Sequence, residues 1–187
     1  MKILGIVCSP RSGGNTEILV RKALESAEKE GAEVEAWSVA GKDLKPCDHC
    51  LSCIKTGQCH IKDDMQALYP KMIEADGIVL GSPVYFWSIT AQAKTVIDRT
   101  YALRRPTNRL EGKVGGAIAV AGRRGQVEAL TVMNNFFLGQ GMIPAGLGVD
   151  GRGSEKGDIE KDERAMTGAA GLGRRIVQLI RQNMPGK

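Results

Sequence analysis

The sequence has few aromatic residues: two Trp, three Tyr and three Phe, 4% of 187 positions. Where so few gather therefore carries information. No apolar run approaches the 18 or so residues that a membrane-spanning helix needs, and no membrane partner is expected. The opening Met1-Lys2-Ile3-Leu4-Gly5-Ile6-Val7-Cys8 stops at Ser9-Pro10, too short for the apolar core of an export signal. The expected compartment is the cytoplasm, where thiols stay reduced, so the five cysteines do not read as a disulfide scaffold. Charge of one sign is not concentrated either. The net +5 is spread over small clusters at Arg104-Arg105 with Arg109, Arg123-Arg124 and Arg174-Arg175, which argues against a nucleic-acid partner. No linker, repeat or low-complexity tract marks a second domain, and one domain over residues 1–187 is expected. Glycine, by contrast, is in excess: 24 residues, roughly 13% against a usual 7% or so.

Hydrophobic periodicity alternates between strand and helix along the chain. Residues 2–8 form an apolar run suited to a strand buried on both faces. Residues 16–30 repeat Ile18, Leu19, Ala23, Leu24 and Ala27 at helical spacing, closed by Gly31. The same reading predicts an edge-like strand over 32–40, a helix over 63–75 and a strand over 77–80 broken at Gly81-Ser82-Pro83. A helix over 90–103, a strand over 114–121 and a helix over 126–138 follow, then a last strand over 143–149 and a last helix over 162–182. Five βα repeats imply an α/β protein with a parallel sheet and helices on both faces. The long connections, 9–15, 41–62, 82–89, 121–125 and 150–158, run from strand to helix. They therefore meet at the carboxyl edge of the sheet, where such folds bind ligands. Segment 104–112 receives no functional reading, and 150–158 reads only as a loop.

The first of these loops, Ser9-Pro10-Arg11-Ser12-Gly13-Gly14-Asn15-Thr16, joins a buried strand to a helix. Unpaired N–H groups and the helix dipole at that point attract an anion. The loop lacks both G-x-G-x-x-G and G-x-x-x-x-G-K-[ST], which disfavours a dinucleotide and a nucleoside triphosphate. Hydroxyls, glycines and one arginine suit a single phosphomonoester, as on flavin mononucleotide (FMN). A capped helix with no ligand would use the same residues.

Three of the eight aromatics are consecutive, Tyr85-Phe86-Trp87, directly after Ser82-Pro83-Val84. A core would scatter them at helical or strand spacing; a cluster on a ligand-edge loop suits a flat heterocycle, although at least one ring is expected to cap the core. Ala121-Gly122-Arg123-Arg124-Gly125 permits close backbone approach to a ring edge, and Arg123 could neutralise an anionic reduced flavin. Taken in order, these loops, with Asp63-Asp64-Met65, Glu74 to Phe86 and Lys94…Asp98-Arg99, resemble the flavodoxin-like NAD(P)H-dependent FMN reductases. The resemblance implies a doubly wound five-stranded parallel sheet in the order 2-1-3-4-5. It implies that Ser9, Arg11, Ser12, Asn15 and Thr16 hold the phosphate and ribityl chain. Pro83, Val84, Tyr85 and Phe86 would hold the isoalloxazine, with Gly122 near its far edge.

Loop 41–62 places Cys47, Cys50, Cys53 and Cys59 within thirteen residues, spaced C-x2-C-x2-C-x5-C. Structural zinc sites usually separate two ligand pairs by a dozen or more residues. Compact C-x2-C-x2-C suits three corners of one iron–sulfur cubane, with Cys59 free to reach the fourth. Zinc stays open, with His49 and His60 as substitute ligands, and Cys8 reads as a core residue. The pattern resembles that of the iron–sulfur flavoproteins, which join a [4Fe–4S] cluster to FMN on this fold. That resemblance implies electron exchange between FMN and a ferredoxin-like carrier, with quinones or oxygen species as acceptors and no catalytic acid or base. It also implies a homodimer or homotetramer in which the cluster faces a neighbouring subunit's flavin. The alternatives are an NAD(P)H-dependent FMN or quinone reductase whose cysteine loop is structural, and a zinc-stabilised interaction module.

Overall fold

A computed structural model of the protein describes residues 1–184; residues 185–187, the end of the expected domain, lie outside the described residues. Strands β1 (Lys2–Val7), β2 (Glu33–Ser38), β3 (Gly77–Pro83) and β4 (Val114–Ala121) are joined by β5 (Ile143–Pro144) and β6 (Val149–Arg152). Every pairing is parallel, and the order along the sheet is β2-β1-β3-β4-β5, with β6 also pairing β4. The helices are α1 (Asn15–Lys29), α2 (Cys53–Thr56), α3 (Met65–Glu74), α4 (Ala91–Arg99), α5 (Tyr101–Arg104), α6 (Gln126–Gly139) and α7 (Glu163–Asn183).

Strand alternation sorts the core into two layers. Ile3 and Val7 of β1, Val79 of β3 and Ile118 and Val120 of β4 pack with Leu19, Val20, Leu172 and Ile176 of α1 and α7. Leu4, Ile6, Ile78, Leu80 and Ala117 turn the other way, onto Met65, Leu68, Val96, Met133 and Phe137 of α3, α4 and α6. Cys8 is buried in this second layer, as expected. Part of the glycine excess allows elements to approach closely. A Cβ on Gly81 would stand 2.5 Å from Val20, and one on Gly173 only 2.0 Å from the Ala23 carbonyl oxygen, where α7 crosses α1.

Three expected boundaries shift. The last strand, expected over 143–149, is split: β5 pairs Val114 and Gly115, while β6 pairs Ile118 to Ala121. Pro144 offers no N–H to a ladder, and Gly146 and Gly148 take φ of +121° and +105°, looping the chain out between the pieces. Strand β3 runs on through Gly81-Ser82-Pro83, because Ser82 and Pro83 still pair with Ala119 and Val120. The helix expected over 90–103 is interrupted at Thr100, whose hydroxyl donates back to the Ile97 carbonyl at 2.6 Å. Strand β2 lies at the edge, and its Trp37 is buried in the core. Among the described residues, no helix is long and apolar enough to cross a membrane.

Candidate functional site

Two cavities stand where the sequence concentrates its chemistry. The first, about 230 Å³, opens at the carboxyl edge of the sheet. It brings together Ser9, Arg11, Asn15, Thr16, Pro83, Val84, Tyr85 and Gly122 from three loops far apart in sequence. Ser12 and Phe86 do not line it, and Arg123 is exposed away from it. Gly153, Ser154 and Lys156 do line it, from the loop that sequence reasoning left without a role.

One end of the hollow is shaped for an anion. Ser9 Oγ accepts the Arg11 N–H at 3.2 Å, and the Gly14 N–H donates to the Arg11 carbonyl at 3.3 Å, closing a turn with Gly13 at φ +63°. Helix α1 then starts behind Gly14, which has no side chain to cap it. First-turn N–H groups thus keep their demand for an acceptor. Gly14, Asn15 and Thr16 line the hollow at this point. Two cations flank them. Arg11 Nη1 lies 3.5 Å from the Ser154 carbonyl, and Lys156 Nζ sits beside Gly13, 3.0 Å from where its Cβ would stand. Glu17 accepts the Gly13 N–H at 2.7 Å and pairs with Arg21. Burial would raise its carboxyl, but the Gly13 N–H and Arg21 hold it below the ordinary value. Asn15 spends its side chain on the last loop, donating to the Glu155 carbonyl at 2.8 Å and accepting the Gly157 N–H at 2.9 Å. It thereby folds that loop, with Lys156, over the hollow.

The other end is lined by Pro83, Val84, Tyr85 and Val120. The Val84 N–H donates to the Val120 carbonyl at 2.8 Å, fixing the strand exit. Tyr85 and Ser88 exchange two backbone hydrogen bonds of 2.9 and 3.1 Å around Phe86 and Trp87, at φ +47° and +67°. Such conformations cost roughly 1–2 kcal/mol per L-residue and gather at functional loops. Phe86 is 100% exposed and Trp87 57%. Gly125, at φ +97°, would bring a Cβ within 2.8 Å of Val84, so the fourth loop supports the third.

The second cavity, about 460 Å³, is lined by all four loop cysteines with Asp98, Arg99 and Tyr101. The thiols are unbridged, Cys47 and Cys50 exposed and Cys53 and Cys59 half-buried. Helix α2 begins at Cys53 and is capped after Thr56 by Gly57, φ +67°. The loop's exits are strongly held. Arg99 and Asp63, both side chains fully buried, form a two-point ion pair of 2.7 and 3.0 Å. Burial would raise Asp63, but Arg99 and the Lys45 N–H hold its carboxyl below the ordinary range. Gln66 Nε2 donates to the carbonyls of Cys59 and Ile61 at 3.1 and 2.6 Å. Arg109 donates to the Gly57 carbonyl, and Pro106 lies 3.2 Å from where a Gly57 Cβ would stand. Segment 104–112, opaque in sequence, is a buttress for the cysteine loop.

Burial pushes the Cys53 thiol up, and the nearby thiols of Cys59, Cys50 and Cys47 add to the push. A cationic centre bound between the four sulfurs would take them as thiolates. One tetrahedral zinc, with Zn–S near 2.3 Å, would hold its sulfurs about 3.8 Å apart. Among the described residues, however, the one ligand trio within 4.8 Å of one another is Asp48, Cys50 and His60; no trio of thiols is so close. His60 Nε2 lies 2.7 Å from Asp48, while His49 joins no such group.

Residues 1–149 match the family described as NADPH-dependent FMN reductase. An iron–sulfur flavoprotein of Methanocaldococcus jannaschii is 42% identical over 190 residues, covering 97% of this chain and 98% of that protein. Another, from Archaeoglobus fulgidus, is 43% identical over 145 residues, 76% of this chain and 74% of that protein. Among solved structures, RosB with bound 8-demethyl-8-formylriboflavin-5′-phosphate superposes with a TM-score of 0.82 at 20% identity, covering 99% of this chain and 81% of that one.

Proposed function

The chain belongs to the NADPH-dependent FMN reductase family, and from that premise we propose a flavin-dependent oxidoreductase that holds FMN in the carboxyl-edge hollow and a [4Fe–4S] cluster on Cys47, Cys50, Cys53 and Cys59. The observation that carries the flavin half is the convergence of distant loops on one hollow, with an uncapped helix start and two cations at one end and Val84-Tyr85 at the other. FMN carries one phosphate and one flat ring, and the hollow offers one end for each. The compact spacing of the four cysteines, and the names of the archaeal relatives, support the cluster.

Each residue then has a task. Arg11, Lys156 and the N–H groups of Asn15 and Thr16 neutralise and orient the phosphate. The Ser9 hydroxyl shapes the turn that presents them, and Ser12 supplies a further hydroxyl at its rim. Asn15 pins the 150–158 loop against the tail. Pro83, Val84 and Tyr85 carry the ring, with Gly122 at its far edge and Phe86 at the outer rim. When bound, flavin accepts electrons in pairs or singly while the cluster passes one at a time, so the two convert between kinds of electron traffic. No side chain need act as acid or base.

The redox partner is NAD(P)H or an electron carrier, and the loaded cluster favours a ferredoxin-like protein. The two cavities share no lining residue. The fully exposed Phe86 and the neighbouring Trp87 offer a surface for a second copy, so the proposed route runs from the cluster of one subunit to the flavin of another. Anaerobic purification with flavin, iron and sulfide assays tests the whole reading. One FMN, four irons and four sulfides per chain are expected, with slow bleaching by NADPH and fast bleaching by reduced ferredoxin. Iron-free protein whose flavin NADPH bleaches rapidly would instead identify a simple NAD(P)H-dependent FMN or quinone reductase with a structural cysteine loop.

A further inference from the structure

Arg99 is the largest of the fully buried side chains, and it lines the thiol cavity. Its donors can be counted. Nη1 gives its hydrogens to Asp63 Oδ2 and the Lys45 carbonyl, both at 2.7 Å. Nη2 gives its pair to Asp63 Oδ1 at 3.0 Å and the Ile61 carbonyl at 3.4 Å. A guanidinium has five N–H donors, and the fifth, on Nε, is buried with no partner in the protein. Buried donors are rarely left unmatched. Burial alone would lower the Arg99 guanidinium, but Asp63, with lesser help from Tyr69 and Cys59, holds it above its ordinary value, so it stays charged at any working pH. The Tyr69 hydroxyl also lies beside Cys59 and donates to the Arg99 carbonyl at 3.3 Å, keeping the residue at the Cys59 wall.

We propose that Arg99 is a positioning residue for the iron–sulfur centre. Its four Nη hydrogens fix both ends of the cysteine loop, at Lys45 and at Ile61 and Asp63, and its Nε–H donates to a cluster sulfur on the Cys59 side. This rests on the reading that the four thiols carry a cluster. Asp63 already balances the formal charge of Arg99, so the effect on the centre comes from the N–H···S bond. Such a bond strengthens as electron density on sulfur rises, and it therefore favours the reduced form.

The full-length protein, grown with arginine labelled with ¹⁵N at Nε, reconstituted anaerobically and reduced with dithionite, provides the test by pulsed EPR. The paramagnetic centre is expected to show coupling to one arginine ¹⁵N and one exchangeable proton, both lost in Arg99→Lys. In that variant the reduced-to-oxidised ratio of the cluster at a fixed solution potential should fall about tenfold, 59 mV for one electron. Should stranding Asp63 prevent folding, the paired variant Arg99→Met with Asp63→Leu keeps the site apolar and should show the same fall. A centre with four irons and a clean signal but no arginine coupling overturns the proposal while leaving the cluster reading intact. A chain that takes up no iron overturns both.

Discussion

Arg11 and Lys156 both line one small hollow, contributed by loops some 145 positions apart, and each would offer a full charge to an anion bound there. A charge-assisted hydrogen bond is worth about 1.5–3 kcal/mol. Arg11→Ala and Lys156→Ala are each expected to weaken FMN binding about tenfold or more, read by titrating flavin fluorescence into apoprotein. The loss should shrink as salt is added, since the hollow is open to solvent. An unchanged affinity in both variants would place the phosphate elsewhere. Phe86 makes the opposite case. It is fully exposed and strained, so Phe86→Ala should change the unfolding free energy by less than about 0.5 kcal/mol. If Phe86 meets a second copy, the same change lowers the mass measured by light scattering.

Among the elements, α7 shows how local caps and close approach combine. Asp162 accepts the Ala165 N–H at 3.0 Å, and the Arg152 N–H at 3.0 Å ties the helix start to β6. Those N–H groups, that of Ala165 foremost, hold its carboxyl below the ordinary value. The cap is therefore at full strength above the unfolded value of about 3.9 and is lost as pH falls through the lower folded value. Asp162→Ala should cost about 1 kcal/mol at neutral pH, measured by urea unfolding, and the difference from wild type should vanish in strong acid. Gly173→Ala is expected to be worse. Its methyl group would meet backbone rather than a movable side chain at Ala23, so α1 and α7 must part at a cost of about 1–3 kcal/mol or more.

At the scale of the molecule, the cysteine loop is mostly exposed and touches the core layer of α3, α4 and α6 through Leu44, Cys53 and Cys59. Its ends are fixed by Arg99, Asp63, Gln66 and Arg109 without any metal. Removing one partner of the buried Arg99–Asp63 pair would cost about 3–5 kcal/mol, and both partners are in place without a metal. Removing iron with a chelator should therefore bleach the cluster's absorption, leave far-UV circular dichroism and bound flavin unchanged, and expose residues 47–56 to proteolysis. Global unfolding on chelation, as in a zinc finger, would show that this loop carries the fold.

Periodicity and loop length were enough to derive five βα repeats, the carboxyl edge as the working edge and the cysteine spacing as a chelating one, because those properties are local and repeat along the chain. The split of the last strand was half-legible: Pro144, Gly146 and Gly148 are visible in sequence, but only pairing with β4 decides where the ladder resumes. Lys156, Arg109 and the free Nε of Arg99 were not legible at all. Lys156 and Arg109 each act on a partner 50 or more positions away, and the Arg99 Nε is a donor left over after all other contacts are counted. The sequence determined which chemistry the chain could carry. Folding decided which cation meets which loop, because closing those distances needs the whole sheet in place.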